Sequence, residues 1–285
     1  MANTIANRVY RDKYRKATLE AQLRNRLVAE AICMVDNSDN KRIQSPYGSQ
    51  ASATVQAIAG TYSVADFTTT DDTLTVTDEV IVAEHIHDFE DVLTNFDLFA
   101  SRTDETVYAV ANKIDRFVLN NLCEEATGAY TTPAGGFTTK ANINVIMGNL
   151  ISKVAGYADV YKGLFLVIEN TDVAGFAQAQ AENGFNFADS ALKNGFMDNY
   201  MGVSIHVVRS GTFADETLGT TTYTNANHRV FGVKNVSTYA SPRGIRFEEK
   251  MVSGKTGMEV VTYGYIGFKL WTPKKALVVD ITLTA

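Results

Sequence analysis

The chain has 285 residues, of which 45% are hydrophobic and 20% are charged, and its formal net charge is −6. This composition is typical of a globular protein and excludes a disordered or fibrous chain. No apolar run approaches the roughly 20 residues that a membrane-spanning helix needs, and the first residues lack the apolar centre of a secretory signal. Cys33 and Cys123 are too few for a disulfide framework, so we expect buried thiols in a reducing compartment.

The charge is distributed unevenly along the chain. Residues 1–26 contain seven basic and two acidic residues, a net charge of +5, whereas residues 43–112 contain one arginine and twelve acidic residues, a net charge of −11. A basic segment beside an acidic one indicates either a nucleic-acid contact or complementary surfaces on copies of one chain. Both interpretations stay open, and the candidate residues are Arg8, Arg11, Lys13, Arg15 and Lys16.

The first segment of the chain predicts a helix. Residues 7–35 lack proline and glycine and carry apolar side chains at helical spacing, which indicates an amphipathic helix, either continuous or broken. Residues 36–49, "DNSDNKRIQSPYGS", are typical of turns and predict the end of this helix.

Two β-rich stretches follow, at residues 53–67 and 72–89, separated by "TTTDD". They predict a long two-stranded arm, with a shift in its alternation near Asp78 and Glu79 like that at a β-bulge. The arm is rich in Thr and Asp at its tip, and an isolated hairpin is marginally stable in water. We therefore expect the arm to lie on another molecule, most simply a neighbouring copy.

The residues after the arm predict a long helix over 103–126. Apolar side chains recur at i, i+3, i+4 and i+7 between Val107 and Leu122. The preceding "SRTDE" is typical of a capping box with Ser101 as the N-cap and Thr103 as the rival, and Gly128 suits the end.

The middle of the chain alternates between helical and strand patterns, which predicts an α/β unit. We expect helices at 143–157 and 172–181, strands at 163–170, 199–211 and 229–242, and an exposed loop at 214–228. Residues 244–283 return to a pure β pattern.

One stretch of this last region, "VSGKTG" at residues 252–257, ends like a phosphate-binding P-loop. The glycine that a P-loop needs five positions earlier is replaced by Glu249, and the following residues read as strand instead of helix. The stretch therefore predicts a loop between two strands.

Few residues form a pattern typical of catalysis or metal binding. His85 and His87 share one face of a strand. Together with Asp88 they are weak candidates for a metal site, which would need a further ligand. The alternative is that the two histidines form a polar pair at the base of the arm. Glu248 and Glu249 are neighbours on a strand, face opposite sides, and are expected to meet basic residues of a neighbouring chain. We predict no catalytic residue, no metal and no cofactor.

The order of these elements resembles the major capsid proteins of tailed bacteriophages, whose fold is called Hong Kong 97-like, over almost the whole chain. "SATVQAIAG…DTLTVTDEVIVAEHIHDFEDVL" followed by "RTDETVYAVANKIDRFVLNNL" looks like the family's extended loop and spine helix. The resemblance implies an α+β fold with an N-terminal helical arm, an extended β-hairpin loop, a long spine helix, and peripheral and axial subdomains. The expected parts are the arm at 1–43, the loop at 44–88, the peripheral domain with the spine helix at 89–140 and 241–285, and the axial domain at 141–240.

The resemblance also implies a function. Copies would assemble through hexamers and pentamers into an icosahedral shell around phage double-stranded DNA, as a structural protein of the virion assembled in the host cytoplasm, with no membrane partner. It implies a separate scaffolding protein, a portal, decoration proteins in some members, and non-specific DNA contact. Some members crosslink their shells through a lysine of the extended loop; residues 43–112 contain none, so we expect no such bond. The alternatives are an encapsulin-like nanocompartment shell and a soluble α/β enzyme.

Overall fold

A computed structural model describes residues 27–48, 55, 58, 60, 68–86, 98–154, 163–182, 199–251 and 258–284. In this part of the chain the helices are α1 (Val28–Ile32), α2 (Leu98–Glu125), α3 (Lys140–Val154) and α4 (Val173–Glu182), with 3-10 turns at Gly136–Thr138, Asn170–Asp172 and Thr272–Leu277. The strands are β1 (Met34–Asp36), β2 (Arg42–Gly48), β3 (Thr69–Thr75), β4 (Asp78–Ile86), β5 (Gly128–Thr131), β6 (Leu164–Glu169), β7 (Asn199–Tyr200), β8 (Val203–Val208), β9 (Asp215–Leu218), β10 (Thr221–Thr224), β11 (His228–Val233), β12 (Ser237–Ala240), β13 (Arg246–Met251), β14 (Met258–Leu270) and β15 (Val278–Thr282).

A six-stranded sheet has the order β5-β15-β11-β6-β8-β7. Strand β11 lies antiparallel to both β15 and β6, whereas β6 pairs with β8 in parallel. Nearly every residue of β6 and β11 is buried. Such burial on both faces is typical of central strands in a sheet that is covered on both sides.

A five-stranded sheet is built around the long strand β14. The first half of β14 pairs with β4 on one side and β13 on the other, and its last residues pair with β12, which in turn pairs with β1. Strand β14, late in the chain, therefore pairs with the early strand β4 as well as with β12 and β13.

Helix α2 contacts both sheets, through β4 and β14 of one and β11 and β15 of the other. Its apolar stripe is buried as predicted, including Val110, Ile114, Val118 and Leu122. The predicted start is wrong, because the helix begins at Leu98. Leu98 and Ala100 are strong helix formers, and no Pro or Gly separates them from the local capping signal, so the helix begins before that signal. Within the described ranges no helix is long and apolar enough to cross a membrane.

The strand pairing described for the arm is between β2 and β3, which was not predicted. Residues 69–72, predicted as part of a turn, belong to β3, and β3 pairs with β2, which was also predicted as turn. Pro46 is tolerated in β2 because a two-stranded ribbon consists of edge strands, where a missing N–H costs little. Residues 53–67, predicted as the first arm strand, lie almost wholly outside the described residues.

The predicted irregularity at Asp78 and Glu79 corresponds to a change of sheet. Strand β3 ends at Thr75, and β4 begins at Asp78 as a neighbour of β14. One β-rich stretch of sequence therefore supplies both the arm and the body of the protein.

Three further boundaries differ from the prediction. The first helix ends at Ile32, because Met34–Asp36 pairs with β12 as a strand. The predicted loop at 214–228 contains the hairpin of β9 and β10, which turns at Gly219 with φ of 61°. The predicted strand at 229–242 is divided between the two sheets by a turn in which Asn235 has φ of 63°.

Candidate assembly interface

The root of the β2–β3 hairpin has a small apolar cluster of its own. Leu74 and Val76 pack with Trp271 and Ala240, and Ile43 of β2 lies against them. The indole N–H of Trp271 donates to the Thr238 hydroxyl at 2.9 Å. We call these five clustered residues the root cluster: Ile43, Leu74, Val76, Ala240 and Trp271. It is separate from the main core and fixes the base of the hairpin on the five-stranded sheet.

Asp72 ties the same hairpin to the end of β14. Its side chain is buried and accepts the backbone N–H of Thr272 at 2.7 Å, and the Lys269 ammonium lies 3.6 Å away. Burial alone would raise the pKa of Asp72, but the Thr272 N–H and the Lys269 charge outweigh it and hold this pKa below its ordinary value. The carboxylate is therefore ionised and engaged at neutral pH.

Beyond Asp72 the described residues of the hairpin contribute no fully buried side chain. Residues 69–71 are exposed, and none of the β2 residues opposite them is buried. Val55 and Ile58, two described positions between β2 and β3, have fully exposed side chains. The arm thus combines a fixed root with exposed side chains at the described positions beyond it.

No described residue fully covers one face of the sheet formed by β4, β14 and β13. Ile81 is 58% exposed and Tyr265 is 41% exposed, and the Tyr263 ring, which lies opposite Ile81, meets the Tyr265 ring edge-on at 6.2 Å. The other face of these strands is buried against α2, with Val80 and Ile266 in the core. We call exposed Ile81 and Tyr265, together with half-buried Tyr263 between them, the sheet patch.

Glu248 lies on β13 beside the sheet patch and accepts a 2.7 Å hydrogen bond from the Tyr263 hydroxyl. Glu248 and Glu249 pair with the consecutive residues Val261 and Val260 of β14. The basic partners suggested for them, Arg8 and Arg11, lie outside the described residues, as do Lys13, Arg15 and Lys16. A pairing between these groups stays a prediction.

The weak metal candidates are not brought together with further ligands in the described part of the chain. His85 is exposed on β4, and His87 and Asp88 lie outside the described residues. Across the positions that are described, no three His, Cys, Asp or Glu side chains cluster as metal ligands would. His228 is engaged elsewhere, 2.8 Å from Asp280.

The P-loop fragment at 252–257 lies outside the described residues, but both of its flanks are described. Strand β13 ends at Met251 and the antiparallel β14 begins at Met258, where a P-loop would need a helix. The flanks therefore agree with the predicted connection between two strands.

Both cysteines are buried, as predicted. Burial raises the pKa of Cys33 to about 12 and that of Cys123 well above its ordinary value. Neither thiol has the lowered pKa that activates a nucleophile.

Sequence reasoning missed a buried ionic cluster in the six-stranded sheet. The Arg229 guanidinium lies 2.6 Å from Asp172 and 3.1 Å from Glu169. The other oxygen of Glu169 accepts the backbone N–H groups of Gly211 and Phe213. This cluster fastens the loop after β8 to the sheet, and no local pattern announces it because its members are far apart in sequence.

The structure is similar to solved structures of phage capsids. A capsid structure of the cyanophage P-SCSP1u has a TM-score of 0.67 at 11% identity, covering 90% of this chain and 88% of that chain. A bacteriophage PhiM1 mature capsid has a TM-score of 0.66 at 11% identity, covering 90% and 87%. The chain has the Hong Kong 97-like capsid fold. A structure of Mycobacterium phage Che8 also matches, with a TM-score of 0.64 at 17% identity, covering 85% and 84%.

The capsid fold confirms the resemblance that the order of elements predicted, including the α+β class. No sequence-family description and no curated protein matches the chain. At sequence identities of 11–17%, the similarity to these capsid structures shows a shared fold and nothing more. The four-part division of the chain stays a prediction.

Proposed function

We propose that the chain is a major capsid protein, whose copies assemble through hexamers and pentamers into an icosahedral shell enclosing phage double-stranded DNA. The capsid fold over nine-tenths of the chain supports this proposal. The observation that carries it is the arm: its root is fixed by Asp72 and Trp271, while the side chains of 69–71, Val55 and Ile58, described positions beyond the root, are exposed. Such an arm is stable only when another molecule covers it.

A second copy supplies that cover in our proposal. The arm carries exposed Val55 and Ile58, and the sheet patch carries exposed Ile81 and Tyr265, so one chain presents two different apolar surfaces. A contact between unlike surfaces of identical chains is heterologous and forms a ring when its rotation closes. Each fully buried apolar side chain contributes about 1.5–3 kcal/mol, and a shell repeats the contact many times.

The charge asymmetry fits the same assembly. The acidic residues of the arm region and the basic residues of 1–26 are complementary between copies, and the basic residues are also suited to non-specific contact with DNA phosphates. We propose both roles for Arg8, Arg11 and the basic residues after them.

The remaining elements of the proposal follow from a shell function. The protein is structural and has no enzymatic activity or cofactor. It works with a separate scaffolding protein and a portal, and it resides in the virion after assembly in the host cytoplasm. We propose four parts of the chain: an N-terminal helical arm at 1–43, the extended loop that carries the β-hairpin at 44–88, a peripheral domain at 89–140 with 241–285, and an axial domain at 141–240.

Substitution within the sheet patch tests the assembly. The chain is co-expressed with a candidate scaffolding protein, and the high-mass fraction is measured by sedimentation. We expect wild type and Ile81→Val to form large particles and Ile81→Asp to give small species with an unchanged melting temperature, because Ile81 is exposed in the single chain. Equal assembly of Ile81→Asp would overturn the arm-to-sheet contact, and no particles from any variant would count against the shell function.

Because residues 43–112 contain no lysine, denaturing gels of the particles should show no ladder of covalently crosslinked subunits.

A further inference from the structure

The two tyrosines of the sheet patch lie in a defined arrangement. Tyr263 and Tyr265 are two positions apart on β14 and therefore share one face of the sheet. Their ring centroids are 6.2 Å apart, with an angle of 80° between the ring planes. Such edge-to-face pairs are favoured at centroid distances of about 4.5–7 Å. Because Tyr263 is half-buried and Tyr265 is 41% exposed, the Tyr263 ring supports the ring that is more open to solvent.

Glu248 holds the other end of the Tyr263 side chain. Its carboxylate accepts a hydrogen bond from the Tyr263 hydroxyl at 2.7 Å, a distance typical of strong bonds between an O–H group and a carboxylate. The strand register explains this contact, because Glu248 of β13 is paired with Val261, which is two positions before Tyr263 on β14. The two side chains are thus diagonal neighbours on one face of the sheet. Contacts therefore run from Glu248 through Tyr263 to Tyr265.

The strand register also places Tyr263 in the middle of the patch. The residues directly opposite Tyr263 are Ile81 on β4 and Arg246 on β13, one on each side. Tyr265 lies opposite Glu79 of β4. Residues that are paired in this way project from the same face of a sheet. A change in the Tyr263 rotamer would therefore alter the surface that Ile81 and Tyr265 present together.

We propose that Glu248 is a positioning residue for assembly, which keeps the Tyr263 and Tyr265 rings in the orientation that receives the arm of a neighbouring copy. This inference rests on the proposed contact between the arm and the sheet patch. Side chains that are ordered before docking lose less conformational entropy when a partner covers them. Each side chain ordered in advance strengthens binding by about three- to tenfold.

A purely structural role for the bond is the alternative. Glu248 and Tyr263 are both only partly buried, so water competes for the hydrogen bond and its contribution to folding is small. The positioning role predicts that loss of the bond weakens assembly without a matching loss of stability. The structural role predicts that assembly and stability fall together.

Variants of the two bonded residues separate these roles. The purified chain is mixed with a candidate scaffolding protein over a range of concentrations, and particles are measured by sedimentation. Glu248→Ala and Tyr263→Phe each remove one partner of the bond, and each should raise the concentration needed for particles by about three- to tenfold. The double variant should be no worse than either single variant. Glu248→Gln keeps an acceptor oxygen and should stay within about twofold of wild type, and all melting temperatures should agree within about 3 °C.

Glu79→Ala is the matched control, because Glu79 is an exposed acid on the same face, opposite Tyr265. It should assemble like wild type. Equal losses for Glu79→Ala and Glu248→Ala would show that assembly responds to charge instead of ring position, and would overturn the proposal. Wild-type assembly of Glu248→Ala would overturn it too while leaving the shell function intact, whereas a wild-type chain that forms no particles would count against the shell function itself.

A measurement on single chains tests the hold of Glu248 on the rings without any assembly. Nuclear Overhauser contacts between the Tyr263 and Tyr265 rings, recorded on a selectively labelled chain, should weaken in Glu248→Ala and persist in Glu248→Gln. Ring contacts that are unchanged in Glu248→Ala would overturn the proposal, whether or not the protein forms shells.

Discussion

The carboxylate of Asp72 accepts the backbone N–H of Thr272 at 2.7 Å, although the two residues are 200 positions apart in the chain. Asp72 belongs to the arm strand β3, and Thr272 follows β14 directly. The direction in which the arm leaves the body is therefore set by a contact between an early strand and the last tenth of the sequence. In a shell, an arm that must reach a neighbouring copy needs this fixed direction.

Loss of the Asp72 charge should loosen the root of the arm. Asp72→Asn keeps the shape but weakens charge-assisted bonds, and we expect it to lower the free energy of unfolding by about 1–2 kcal/mol. Trp271 is the single tryptophan of the chain, so its fluorescence in a urea titration reports directly on the root cluster. Asp71→Asn, at the exposed neighbouring position, is the control and should change little; equal effects would contradict the anchoring role.

The Asp72 anchor should also weaken in acid. The pKa of Asp72 is lower in the folded chain than its ordinary value of about 3.9. Its stabilising contribution is therefore present above that value and is lost as the pH falls below it. Urea titrations between pH 5 and 3 should show a steeper loss of stability for wild type than for Asp72→Asn, and parallel curves would refute this assignment.

The Trp271–Thr238 hydrogen bond should contribute to the same root. Trp271→Phe removes the N–H and leaves a small void, and Thr238→Val leaves the indole N–H without its partner, so each should cost about 1–3 kcal/mol. The double variant should cost clearly less than the sum of the two, as expected for groups in direct contact. Additive costs, measured by circular dichroism during thermal unfolding, would show that the bond contributes nothing.

The buried Arg229 cluster should be the most sensitive ionic group among the described residues. Arg229→Ala leaves Glu169 and Asp172 buried without their cation, which should cost about 3–5 kcal/mol. Arg243→Ala, which breaks a solvent-exposed pair with Asp39, should change stability by less than about 0.5 kcal/mol. Similar costs for the two variants in urea titrations would be inconsistent with the burial that separates these pairs.

The parts of the fold that could be predicted are those in which the local spacing of apolar residues indicates the element. The stripe on α2 and the apolar runs of β6 and β11 follow from periodicity, because each residue's environment there is determined by its own element. Their order along the chain was then enough to predict the capsid fold. The Ser101 capping signal failed because the helix-forming residues before it continued the helix.

Pairing between distant segments could not be predicted in the same way. Strand β2 was interpreted as turn because Pro46 and its polar neighbours are typical of turns, and only β3 makes it a strand. Asp115 looks like an ordinary polar residue of an amphipathic helix until α1 packs over it, and Asp72 looks like part of a turn until Thr272 reaches it. These contacts arise from tertiary structure and leave no local pattern.

Electron microscopy of the high-mass fraction, from cells that co-express a candidate scaffolding protein, tests the central claim most directly. We expect closed angular shells, with the arm of one subunit lying on the Ile81–Tyr265 face of the next. Shells filled with a protein cargo would replace phage DNA packaging with a nanocompartment function. A population of single chains without rings or shells, in which the arm is resistant to protease, would contradict the account.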